Sequence, residues 1–541
     1  MSSVSLQTVQ IIQQPSQLLS HPYHTVKPTN PTPSPAHRQS EAPPPSSTEK
    51  MDPFKKLPAE LCVKIMLSTC SQSTVFQLIQ ASPVMLRQYT ASKRYIIKRL
   101  LASDFDKSMV QDAMAIILFP SEDISHFEAL ARAHHRSWAT KQFADPLHQP
   151  LQSQDQDFID MIIKLYRGLM FFIEDYLTKA TAAFPPREYL CVPSGTQLLF
   201  KGQAVCPKFN AANLTNPERK RLLRAFLWCQ LHSLFARMES SQNEGFCNMR
   251  LLHQEPQPWD TEAIRCVHTY LMSLYGAIIA QCSSDVWLPE VVPRATSPHP
   301  PGLLYPDSLY VDADVYASTL THRCDTSALA AAGFDLAALL LRSATAGQLG
   351  RDRLGKWFTA AYPNCNWGEF HPVSFHWCDF HSFIRGYIDF GANKEDHQNA
   401  PGMYEILRPQ LCTLPIQRKI YQQRAWVFFD DARFYPSPSP DIMPHFPTED
   451  DIMNEQFYNT KQDKDWFTYP QETQAQHRSQ KWHNKQRGIS TDTTKAENMQ
   501  DLELAKEYEV SLPSIMSIAF HHRLLLSDLT YIQEAEKTKE T

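Results

Sequence analysis

Glycine is the residue this chain most conspicuously lacks: it has 15 in 541 positions, under half of the ~7% usual in globular proteins. Propellers, sandwiches and parallel α/β sheets spend glycine in their many turns. Its scarcity here predicts helices joined by loops that proline marks instead, and forty prolines supply those marks. The apolar pattern points the same way. Met109, Val110, Ala113, Met114 and Ile117 form one stripe at helical spacing. Phe158, Ile162, Leu165, Tyr166, Leu169, Ile173 and Leu177 form another, with Lys164 and Arg167 outside it. In "TNPERKRLLRAFLWCQLHSLFARM", Thr215 and Glu218 have the spacing of a capping box, followed by Leu222, Phe226, Cys229 and Leu234 along one face. "WDTEAIRCVHTYLMSLYGAII" repeats the design with Asp260 or Thr261 as the expected cap, and residues 327–361 read as two more helices. No fixed-period repeat is visible.

Composition divides the chain. Residues 1–50 hold nine prolines and no Gly, Cys, Phe or Trp. Such a tract buries too little apolar surface to offset its ordering entropy and is expected to be disordered. Residues 52–105 give three short helical patterns, and 106–435 a large helical body. Residues 436–509 turn polar and read as loop or disordered. Residues 510–532 regain an apolar stripe that can dock back, and 533–541 should fray. The expected fold is therefore mainly α: a small three-helix module, then a large irregular helical body, with polar segments at both ends.

A net charge of −5 argues against wide nucleic-acid or acidic-membrane binding. The twelve cysteines are scattered without a CxxC pair and read as reduced thiols. No charged leader precedes an apolar core at the N-terminus. The longest uncharged apolar run, residues 267–282, falls short of the ~18–20 residues of a membrane span. The expectation is a cytoplasmic or nuclear protein that needs no cofactor.

"DPFKKLPAELCVKIMLS", residues 52–68, follows the leader directly. Pro58 suits a first helical turn, and Leu61 and Ile65 lie four apart. "STVFQLIQ" places Val75, Leu78 and Ile79 on one face, with Ser73 as the expected cap. In "ASPVMLRQY", Ser82 caps and Pro83 opens a third helix that offers Val84, Leu86 and Tyr89. Three such helices cannot bury all these side chains among themselves, so the body or a partner must cover some.

Leu57-Pro58-x-Glu60-Leu61-x-x-x-Ile65, then Val75, Leu78 and Ile79, then Ala81-Ser82-Pro83, resembles an F-box over about fifty residues. Lys220–Trp228, residues 233–235 and "RAWVFFDDARFY" at 424–435 resemble phrases of large helical F-box-containing proteins of fungi. The resemblance implies docking to the Skp adaptor, and through it to a cullin-RING (SCF) ubiquitin ligase, with the body selecting a client. The adaptor-facing residues would be Leu57, Pro58, Leu61 and Ile65, with Val75, Leu78, Ile79 and Val84. No catalytic residue is implied, since an adaptor works by holding two proteins close.

Other constellations point elsewhere. "GRDRLGKW", residues 350–357, has the G-x-x-x-x-G-K spacing of a phosphate loop, but Trp357 stands where the magnesium-binding hydroxyl belongs. Cys365, His371, His376, Cys378 and His381 are zinc-type ligands, yet five interleaved aromatics favour a buried aromatic cluster. Asp430-Asp431 suits capping or an ion pair with Arg433, and the basic stretch 477–487 suits a solvated loop. Beside the adaptor stand two other readings: a helical scaffold whose F-box-like segment does not dock, and a zinc protein using Cys365–His381.

Overall fold

The computed structural model describes residues 52–69, 72–120, 127–149, 155–239, 257–283, 286–289, 302–304, 326–361, 402–407, 415–437, 439–452, 484–485 and 488. The leader 1–50, the cluster Cys365–His381, the stretch 510–532 and the tail 533–541 lie outside the described residues, as do most of 446–500. The fold is mainly helical.

Three helices open it: α1 (Ala59–Ser68), α2 (Gln72–Ala81) and α3 (Pro83–Asp104). Ser82 caps α3 by accepting from the Met85 N–H at 3.2 Å, with Pro83 in the first turn as its missing donor permits. Helix α2 begins at Gln72, so Ser73 lies inside its first turn rather than before it as a cap. Cys62, Met66, Val75, Ile79, Met85, Ile96 and Leu100 form a small core of their own. Ile97 and Leu101, one position further on and so about 100° round the helix, join the body's core with Phe105. A single helix thus serves two cores, and Asp52–Thr541 forms one compact unit.

The body adds α4 (Lys107–Ile117), α5 (Phe127–Ala139), α6 (Asp155–Ala180) and the short α7 (Pro185–Glu188). A meander follows, β1 (Val192–Ser194), β2 (Gln197–Phe200) and β3 (Gln203–Pro207), antiparallel throughout. Then come α8 (Asn216–Glu239), α9 (Pro258–Cys282), α10 (Thr326–Ala331), α11 (Gly333–Thr345) and α12 (Gly347–Ala361). Helices α13 (Gly402–Leu407) and α14 (Pro415–Gln423) follow.

Helix α9 runs through the middle, against α8, α10, α11, α12 and α14. Over Trp259–Cys282 it is long and apolar enough to cross a membrane, longer than its uncharged run suggested, and its apolar window is 83% buried in the body. It starts at Pro258 with Gln257 before it, which puts Asp260 and Thr261 inside the first turn instead of at the cap. The motif at residues 350–357 lies wholly within α12, where a side chain on Gly350 would collide with the Ser343 carbonyl. A helix with that close approach presents no phosphate-cradling loop. Each of the six described cysteines is a free thiol.

The segment after α14 closes the core. Helix α14 ends in a left-handed Ala425 (φ 55°), which leaves its last carbonyls without helical partners. Three buried tyrosines supply donors: Tyr176 to the Gln422 carbonyl, Tyr189 to Gln423 at 2.5 Å and Tyr435 to Arg424 at 2.7 Å. The Arg424 guanidinium in turn donates to the carbonyls of Ala180, Ala182 and Leu304, the last of these at 3.3 Å. Trp426, Val427, Phe428 and Phe429 then fill the centre.

Candidate functional site

Two places carry the residues that the sequence singles out. The first is the α1–α3 module. Asp52 fastens its entry: Oδ1 accepts from the Phe54 N–H at 2.9 Å, and Oδ2 from the Ser82 hydroxyl at 2.6 Å and the Val84 N–H at 3.3 Å. Those bonds, the Ser82 hydroxyl foremost, hold the Asp52 carboxyl below its ordinary value. The turn before α1 is thereby pinned to the start of α3, which sets Leu57 against the small core.

The eight expected adaptor-facing residues divide by burial. Val75 and Ile79 are sealed in the module's own core. Leu57, Ile65, Leu78 and Val84 are half-buried, Pro58 is exposed and Leu61 is 43% exposed. The structure adds Leu86, 48% exposed, and Tyr95, 49% exposed, both on α3. Leu86 was legible as an apolar residue of the third helix, whereas Tyr95 carried no signal beyond its helical position.

The second place is where α8 meets "FFDDARFY". The capping box is formed: Glu218 Oε2 accepts from the Thr215 N–H at 2.9 Å, and Thr215 Oγ1 accepts from the Glu218 N–H at 3.4 Å. Glu218 also binds the Arg433 guanidinium and, through Oε1, the Asp430 N–H at 3.0 Å. Arg221 donates to the Phe428 carbonyl at 2.8 Å and pairs with Asp430, while Asp431 accepts from Arg433 at 2.9 Å. The paired carboxylates therefore serve ion pairing, Asp430 to Arg221 and Asp431 to Arg433, while Glu218 makes the cap.

Beside this junction a shallow cleft is lined by Arg221, Arg224, Trp228, Trp259 and Asp260. Arg224 pairs with Asp106, and the Trp228 indole N–H donates to Asp112 at 3.0 Å. Asp112 accepts a second indole N–H, from Trp138, at 2.8 Å. Burial pushes its carboxyl up to about 6, against the pull of the two indoles. Internal bonds thus occupy the arginines and the Trp228 N–H, so this cleft reads as a seam between α8 and α9. Among the described residues no three His, Cys, Asp or Glu side chains are grouped to hold a metal ion.

Compared with known protein families, with curated proteins and with solved structures, the chain matches none.

Proposed function

We propose that residues 52–105 are an F-box-type docking module for the Skp adaptor of an SCF ubiquitin ligase, and that the helical body presents a client protein for ubiquitination. One observation carries the reading. The module seals its own small core, yet leaves Leu61 and Leu86 about half in solvent. Full burial of a leucine side chain is worth roughly 1.5–3 kcal/mol, and burying what remains exposed of each of these about half of that. Several such side chains offset an association cost of about 4–15 kcal/mol. The test is calorimetric binding of the Skp adaptor to the full chain and to its Leu61→Asp variant, with circular dichroism on both. The reading predicts binding by the parent and at least tenfold weaker binding by a folded variant. Equal binding by the two would overturn this assignment of the face.

A second reading rests on Val75 and Ile79. Because those side chains are spent inside the module, and α3 is shared with the body, the three helices also suit a structural cover for a helical scaffold. A folded parent chain that leaves the adaptor unbound would favour that scaffold.

A further inference from the structure

The module is basic in an acidic chain. Residues 52–105 carry eight Lys and Arg against three Asp and Glu, whereas the whole chain has a net charge of −5. The imbalance is concentrated on α3. Its cations are Arg87, Lys93, Arg94, Lys98 and Arg99, and its one acid is Asp104. Asp104 is buried and bonded to Arg219, and Lys98 is buried with its Nζ on the Gln149 carbonyl at 2.6 Å. Arg87, Lys93, Arg94 and Arg99 are exposed, and no carboxylate among the described residues pairs with them.

Ser92 is non-helical (φ −116°, ψ 15°) and divides α3, so Arg87 stands beside Leu86 on the first segment, while Lys93 and Arg94 stand beside Tyr95 just past the break. The exposed cations of α3 therefore stand close in sequence to the exposed Leu86 and Tyr95, and like charges so gathered repel one another unless something anionic faces them.

We infer that the exposed face of α3 binds an acidic patch on the docking partner, so that the partner meets apolar contact at Leu61 and Leu86 and charge complementarity at Arg87, Lys93 and Arg94. The inference rests on the adaptor reading above and adds the charge of the surface recognised. Exposed charges steer encounter and are screened by salt, so the contribution belongs mainly to the association rate.

The experiment measures association and dissociation rates of the full chain with the Skp adaptor at low and high ionic strength. It compares the parent with a variant carrying Arg87→Glu, Lys93→Glu and Arg94→Glu, and with Leu61→Asp. The charge-reversed side chains are all exposed, and an unchanged melting midpoint confirms that the fold is kept. The inference predicts that charge reversal slows association about tenfold or more at low salt, with a gap that closes to about twofold at high salt. Leu61→Asp should act chiefly on dissociation at both. Binding that ignores both salt and charge reversal overturns the inference while leaving the adaptor reading intact. No binding by the parent at any ionic strength overturns both. Short duplex DNA that binds the parent more tightly than the adaptor, and displaces it, also overturns the inference, because the face would then be a general polyanion site.

Discussion

Asp104, in the last turn of α3, accepts from Arg219 Nε on α8 at 2.8 Å, and both side chains are buried. The other Asp104 oxygen accepts from the Tyr166 hydroxyl at 2.9 Å. The last turn of α3 is therefore bonded into α6 and α8, beyond the non-helical Ser92 (φ −116°, ψ 15°) that interrupts the helix.

Removing one partner of that pair leaves the other charge buried without compensation. Arg219→Ala is expected to destabilise the fold by about 3–5 kcal/mol. Guanidinium unfolding of the two proteins measures it. A loss under about 1 kcal/mol would mean that the module and the body are not coupled through Asp104.

The Asp112 carboxyl is raised by burial to about 6, and Glu188 to about 7 for the same reason. A folded-state value above the unfolded one means that the folded protein binds the proton more tightly. The contribution of these two carboxyls to stability therefore rises as pH falls from about 7 toward 4, by roughly 3 kcal/mol for Asp112 alone, while the buried His232 imidazole, pushed down to about 4, contributes in the opposite direction. Asp112→Asn removes its share of that slope. Urea midpoints at several pH values read the difference, and an unchanged slope in the variant would contradict it.

Backbone handedness separates two positions. Gly333 has φ 79°, and a Cβ there would meet Ser233 Oγ at 2.8 Å and Gln230 Oε1 at 3.0 Å. Gly333→Ala should cost about 2–4 kcal/mol from strain and overpacking together. Ala425, also left-handed, already has a Cβ that fits. Ala425→Gly should therefore shift stability by less than about 1 kcal/mol. Thermal midpoints of the two variants check the contrast.

Tyr435→Phe leaves the buried Arg424 carbonyl without its donor and should cost about 1–3 kcal/mol. Tyr95→Phe, on the surface, should be neutral within about 0.5 kcal/mol. Chemical denaturation of the pair distinguishes a cap from mere packing.

Local signals were legible in the sequence and distant ones were not. Ser82 with Pro83, and Thr215 with Glu218, read correctly because partners three residues apart define a helix start by themselves. Pro258 supplied the true start of α9 and made Asp260 and Thr261 internal. The meander escaped because its strands are three to five residues long, too short for periodicity, although the left-handed Lys201-Gly202 pair marks its second turn. The closing segment was conspicuous as "RAWVFFDDARFY", but its meaning depends on Tyr176 and Tyr189, more than two hundred residues earlier. The face proposed for docking was half legible. Helical spacing shows that Val75, Leu78 and Ile79 share a side, but not that Val75 and Ile79 are sealed within the module while Leu78 stays half-buried.

The most direct test of the account is calorimetric titration of the purified full chain with the Skp adaptor. The account predicts saturable one-to-one binding with a dissociation constant at or below about 1 µM. A folded chain that produces no heat of binding, and does not co-migrate with the adaptor on gel filtration, would contradict it.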